Sequence, residues 1–149
     1  MCSEHATTNP CGGALPLCED TIDLREHSPL ALAFMGDGVY ELLVRRLLVT
    51  RTRLVPGRLH SEAVKFVSAK GQFAALAALE PLLTQEEQDV VRRGKNASKA
   101  TVAKHATAQE YRASTGLEAL FGWLYLQNRM QRIEELFDAV LAARRAQED

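Results

Sequence analysis

The run from Leu30 to about Thr50 constrains this chain more than any other segment. Ser28-Pro29 opens it: a serine hydroxyl caps free N–H groups, and proline suits the first helical position. Wound at about 100° per residue, the run is apolar on nearly every side. Leu30, Ala33, Phe34, Val44 and Leu48 share the face of Asp37, and Leu32, Met35, Val39 and Leu42 lie opposite. Such a helix is expected to be central and buried, with any leftover apolar surface covered by a two-fold partner. Asp37 sits inside it, between Gly36 and Gly38. Burying an ionised carboxylate without a partner is costly, so this one needs a counter-charge or a donor.

Glu118 repeats the situation. Its face carries Tyr111, Ser114, Thr115, Phe121, Gly122 and Tyr125, and the other sides carry Leu117, Leu120, Trp123, Leu124 and Leu126. Small residues beside both acids leave room for a close helix approach, an ion or a phosphate. Two hard oxygen ligands at a helix crossing suit Mg²⁺, which takes carboxylate and water ligands. The alternative is that each acid pairs with a nearby Arg or Lys, or caps a helix. Arg112 and Lys70 lie on neighbouring elements and either neutralise the acids or hold phosphate. Glu41, one turn after Asp37, reads either as a further ligand or as an i,i+4 pair with Arg45.

The remaining punctuation is helical. Residues 1–27 form a loose arm with a short helical turn near Asp20–Arg25, and 28–149 form one domain. Pro56-Gly57 breaks the chain before a helical stretch over Arg58–Leu79, where Gly71 marks a kink or a join. Thr84-Gln85-Glu86-Glu87 fits a capping box for a helix to about Arg93, with Gly94 as its stop. A basic loop covers 94–106, a long helix Ala108–Gln127, and an amphipathic helix Met130–Ala146. In the last, Ile133, Leu136, Phe137, Val140 and Leu141 face inward. Strand alternation is nowhere sustained, so the fold class is all-α.

At 149 residues, 46% hydrophobic and 25% charged, the chain has the balance of one soluble domain. It lacks a secretory start and a charge-free run of roughly 18 apolar residues, which points to the cytoplasm and away from a membrane. Cys2, Cys11 and Cys18 match no common zinc spacing and read as free thiols on the arm rather than a metal or disulfide set.

The net charge of −1 excludes a uniformly basic protein, but it hides a local field. Between Asp89 and Glu110 there is no acid, while Arg92, Arg93, Lys95, Lys99, Lys104 and His105 fall there with Gly94, Asn96, Ser98 and Thr101. Basic, amide and small residues suit phosphate contacts, a solvated loop being the alternative. Without aromatic residues to stack on bases, this stretch fits a double-stranded, shape-read substrate better than a single strand. His60, with Ser61, either touches RNA backbone or is structural.

The segment Leu30-Ala31-Leu32-Ala33-Phe34-Met35-Gly36-Asp37-Gly38-Val39-Tyr40-Glu41 resembles the signature helix of the ribonuclease III catalytic-domain family. Glu118-Ala119-Leu120-Phe121-Gly122 is similar to that family's second acidic motif. Further segments agree in order: Leu59-His60, Val67-Ser68-Ala69-Lys70, Arg92-Arg93-Gly94-Lys95-Asn96-Ala97 and Tyr111-Arg112-Ala113-Ser114-Thr115. Together, from about Ser28 to Leu141, they resemble the short bacterial branch, Mini-ribonuclease III. The resemblance implies an all-helical bundle that dimerises and cleaves double-stranded RNA with Mg²⁺, leaving a 5′-phosphate and a 3′-hydroxyl. It also implies a role in maturing large-subunit (23S) ribosomal RNA and no separate RNA-binding domain. Asp37 and Glu118 are then the catalytic and metal-holding residues. Arg92, Arg93, Lys95, Asn96, Lys99, Lys104 and His60 are the expected RNA contacts. Larger members usually carry acids where this chain has Ala33 and Thr115, which puts the number of metals in question. Ala113 likewise replaces an aromatic residue often found there. The rival reading is a non-catalytic RNA-binding or ribosome-assembly protein with the same fold.

Overall fold

The computed structural model describes residues 23–99 and 106–148. The cysteines, Lys104, His105 and most of the expected arm lie outside the described residues. A 3-10 turn at Leu24–Glu26 precedes α1 (Pro29–Arg51), α2 (Pro56–Val67) and α3 (Ala69–Leu79). A second 3-10 turn, Glu80–Leu82, leads to α4 (Gln85–Ala97), α5 (Ala108–Leu126) and α6 (Met130–Glu148). The described residues form helices and turns without a strand, as the periodicity requires.

Local chemistry sets the boundaries. The Ala31 N–H donates to Ser28 Oγ at 3.1 Å, with Pro29 in the first turn. The capping box at α4 is complete: Glu87 N–H donates to Thr84 Oγ1 at 3.2 Å, and Thr84 N–H donates to Glu87 Oε1 at 2.8 Å. Thr107 caps α5 by accepting from Glu110 N–H at 3.1 Å. Asn128, at φ 57°, ends α5 in the left-handed conformation. Its N–H donates to the Tyr125 carbonyl and that of Arg129 to the Leu124 carbonyl, the two bonds of a Schellman motif.

Gly71 marks a join as expected, whereas Gly94 acts differently from the expectation. The break itself is at Ser68, whose hydroxyl caps α3. A Cβ on Gly71 would lie 2.2 Å from the Lys65 carbonyl oxygen, so the tight corner between α2 and α3 requires glycine. Gly94 does not stop α4, which continues to Ala97. It is buried against α5, where an added Cβ would lie 3.0 Å from Gly116 Cα and 2.9 Å from Ala119 Cβ. The glycine serves helix packing, and the basic stretch is helical as far as Ala97.

The centre of the bundle is α5 rather than α1. It touches α1, α3, α4 and α6, and Leu117, Ala119, Leu120, Phe121 and Leu124 are fully buried. One side of α1 packs onto it through Leu32, Gly36, Val39, Tyr40 and Val44. Tyr40 meets the rings of Phe121 and Phe137 edge-on at 5.4 and 5.8 Å. The other side of α1 is open: Phe34 is 86% exposed, and Leu42 and Val49 are each 66% exposed. The expectation of a fully buried α1 is corrected to this extent, because five further helices do not encircle it. α6 is fastened to the start of α4 by a buried ion pair. Arg132 donates to both carboxylate oxygens of the fully buried Glu87, at 2.8 and 3.0 Å, and to the Leu82 carbonyl at 2.9 Å.

Candidate active site

The site is made by the crossing of α1 and α5. At Gly36 a Cβ would fall 1.6 Å from the Glu118 carbonyl oxygen, and at Gly122 1.9 Å from that of Leu32. The two backbones therefore touch, which only glycine on each helix allows. Asp37 follows Gly36, and Glu118 lies one turn before Gly122. The crossing thus brings both carboxylates to one place: Asp37 exposed at its mouth, Glu118 half-buried beside it.

The electrostatics follow from that placement. Burial, and then the negative charge of Asp37, push the Glu118 carboxyl up to about 7, with the Gln72 amide opposing the rise. Among the described residues neither acid is in an ion pair. Pairing with Arg112 or Lys70, the alternative raised by the sequence, is not found there. Two carboxylates held together without a counter-ion repel each other unless a cation or a proton joins them. No group of three or more His, Cys, Asp and Glu is assembled among the described residues. The donor set is thus a pair of hard oxygens open to water, which fits Mg²⁺. Thr115 and Ala33, the two departures noted in the sequence, add no free ligand. Ala33 is buried, and the Thr115 hydroxyl donates to the Tyr111 carbonyl at 3.1 Å and lies 3.3 Å from Ser98 Oγ.

Glu41 is an ordinary helical pair, accepting from Arg45 Nη2 at 2.9 Å. His60 is exposed and faces a groove with Glu41, Arg45, Val49 and Leu59, so it joins this flank of α1 and α2. Arg92, Arg93, Lys95 and Asn96 lie on α4, with Lys99 just beyond it. Arg92 pairs with Asp89 at 3.2 Å and Lys95 with Glu80 at 3.3 Å. Lys95 and Asn96 do share a cavity with Gln109, Ser98 and Arg112, the last already a candidate phosphate contact from the sequence. Arg93 and Lys99 are exposed.

The sequence reading missed Gln72. It is 1% exposed on the face of α3 that carries Ala75, Leu76 and Leu79, and it approaches Glu118 from that helix. An amide at a core register of an otherwise apolar helix was the available signal.

Comparison with known proteins bears on the family and the fold. A sequence model of the ribonuclease III domain matches residues 30–129. The Mini-ribonuclease 3 of Symbiobacterium thermophilum is 47% identical over 111 residues, covering 74% of this chain and 85% of that protein. That of Streptococcus pneumoniae is 41% identical over 117 residues, covering 77% and 91%. A crystal structure of a Fusobacterium nucleatum protein superimposes with a TM-score of 0.75 at 28% identity, covering 83% of this chain and 99% of that one. The chain therefore belongs to the ribonuclease III domain family.

Proposed function

We propose that this protein is a Mg²⁺-dependent endoribonuclease that cleaves double-stranded RNA as a homodimer, with precursor large-subunit (23S) ribosomal RNA as its cytoplasmic substrate. The observation that carries the reading is the pair of Asp37 and Glu118 at the α1–α5 crossing, which no described residue neutralises through an ion pair. Family membership makes the activity that of an endoribonuclease.

Asp37 and Glu118 would hold the cation. When bound, a divalent cation supplies charge neutralisation at the scissile phosphate and acidity for the attacking water. Glu118 is fixed by a buried helix, so its carboxylate needs little reorganisation on substrate arrival. Arg93, Lys95, Asn96 and Lys99, with Arg92, Lys104 and His60, are assigned to the RNA backbone. They reach phosphate rather than bases, so shape and context choose the cleavage point.

The exposed apolar side of α1 supports the dimer. Phe34, Leu42 and Val49 are joined by Val55 and Val64 from the start and middle of the α2 region. A patch of this kind marks an interface. Among the described residues no helix is long and apolar enough to cross a membrane.

The experiment is cleavage of a ribosomal RNA duplex over a Mg²⁺ series. Products with 5′-phosphate ends that vanish with excess chelator and in Asp37→Asn support the proposal. Tight duplex binding without cleavage at any Mg²⁺ concentration would favour the non-catalytic reading instead.

A further inference from the structure

Gln72 is the residue of the core that internal packing leaves unexplained. It is 1% exposed, yet neither its amide nitrogen nor its amide oxygen has a hydrogen-bond partner among the described residues. An unpaired buried polar group costs about 1–3 kcal/mol. A leucine at the same register would fill the space among Ala75, Leu76 and Leu79 without that penalty. The amide is therefore explained only by a group that it approaches without a completed hydrogen bond in this structure.

Its surroundings name that contact. α3 packs on α5, and from there the Gln72 side chain approaches the Glu118 carboxyl. The Glu118 carbonyl itself is packed against Gly36 at the crossing. The nearby hydroxyls of Ser114 and Thr115 already donate to the Tyr111 carbonyl. Among the described residues the other buried side-chain polar atom without a partner, Tyr40 Oη, belongs to a ring packed between Phe121 and Phe137. Among the described residues Gln72 is thus the buried, unspent donor beside Glu118.

We propose that Gln72 is a positioning residue: with a divalent cation in the site, its Nε2 donates to one Glu118 carboxylate oxygen and leaves the other oxygen to the cation. This rests on the reading of Asp37 and Glu118 as the cation site. A neutral amide suits the task better than a lysine or arginine. It fixes the carboxylate rotamer without adding a positive charge that would compete with the cation. Partners of metal-ligating carboxylates commonly matter 10–100-fold, roughly, for metal affinity.

The test uses the full chain without RNA. Mn²⁺ binding is followed by the loss of its free-ion electron paramagnetic resonance signal, and Mg²⁺ competes in a second titration. Gln72→Leu is expected to weaken cation binding about tenfold. Its metal-free Tm should stay unchanged or rise, because an unpaired polar group is removed. Gln72→Met, unbranched and of similar length, should behave alike and serves if the leucine variant does not fold. In cleavage at saturating cation, kcat should fall while KM for duplex stays the same, a split that loosened packing alone would not give. Wild-type cation affinity in a folded Gln72 variant, with binding lost in Glu118→Gln, overturns the role of Gln72 and leaves the site intact. Wild-type affinity in both Asp37→Asn and Glu118→Gln overturns the underlying site as well.

Discussion

Gly36 and Gly122 face each other where α1 crosses α5, each against the other helix's backbone. A Cβ on Gly36 would meet the Glu118 carbonyl at 1.6 Å, and one on Gly122 would meet that of Leu32 at 1.9 Å. The contact is between rigid main chains, so a methyl cannot be absorbed by a rotamer change. Gly36→Ala should therefore cost about 3 kcal/mol through overpacking. This happens despite the ~1 kcal/mol that alanine gains over glycine in an ordinary helix. Gly38, two residues on, has nothing within 4 Å of its Cβ position. Gly38→Ala should leave stability unchanged or raise it by about 0.5–1 kcal/mol. Urea unfolding of the two variants checks the contrast, and equal effects would remove the crossing as the site's organiser.

Metal-free stability should depend on pH through Glu118. Its carboxyl titrates near 7 in the folded chain against an ordinary 4.5, because of burial and then Asp37. Between those values the folded state keeps a proton that the unfolded state has lost. Stability must then fall as pH rises through this window, by on the order of 2 kcal/mol for a half-buried group. Glu118→Gln should lack that component and be the more stable protein at pH 8 in chelator. Thermal unfolding of both from pH 4.5 to 8 reads it. A constant difference across the series would contradict the raised titration.

The Glu87–Arg132 pair should behave oppositely. Burial disfavours the Glu87 charge, but the hydrogen bonds from Arg132 and Thr84 outweigh it and hold the carboxyl below its ordinary value. Its contribution is present above the ordinary carboxylate range and is lost as pH falls through the folded value. Arg132→Ala leaves a fully buried carboxylate without its partner and should cost about 3 kcal/mol at neutral pH. The double variant Glu87→Gln/Arg132→Ala should recover part of that. Denaturant midpoints at pH 7 provide the comparison.

Phe34 is 86% exposed on α1, so its replacement should not harm the monomer fold. Phe34→Asp is expected to weaken self-association by at least about 30-fold, as loss of a central aromatic anchor does. Its helical circular dichroism should be retained. Sedimentation at micromolar concentration distinguishes dimer from monomer. A wild-type chain that sediments as a monomer would refute the interface.

Much of this architecture was readable before any coordinates. Ser28-Pro29, the Thr84–Glu87 capping box and the apolar periodicities locate α1, α4, α5 and α6 because caps and helical faces are local chemistry. Asp37 and Glu118 stood out because a carboxylate among leucines violates the pattern it sits in. The glycines were harder. Gly94 as a helix stop and Gly94 as a packing contact look the same in one dimension, and only its approach to Gly116 separates them. The Glu87–Arg132 pair joins segments remote in sequence, so no spacing announces it. Gln72 was passed over because its meaning depends on Glu118, a residue on another helix. The open face of α1 depends on how many neighbours surround it, which periodicity does not count.

The central claim is that Asp37 and Glu118 together hold the cation that makes the chain a duplex-specific nuclease. Single-turnover cleavage of a ribosomal RNA duplex, with and without Mg²⁺, tests it most directly. Asp37→Asn and Glu118→Gln should each lower the Mg²⁺-dependent rate by at least about 100-fold while duplex affinity is retained. Cleavage by either variant at the wild-type rate, or wild-type cleavage in excess chelator, would contradict it.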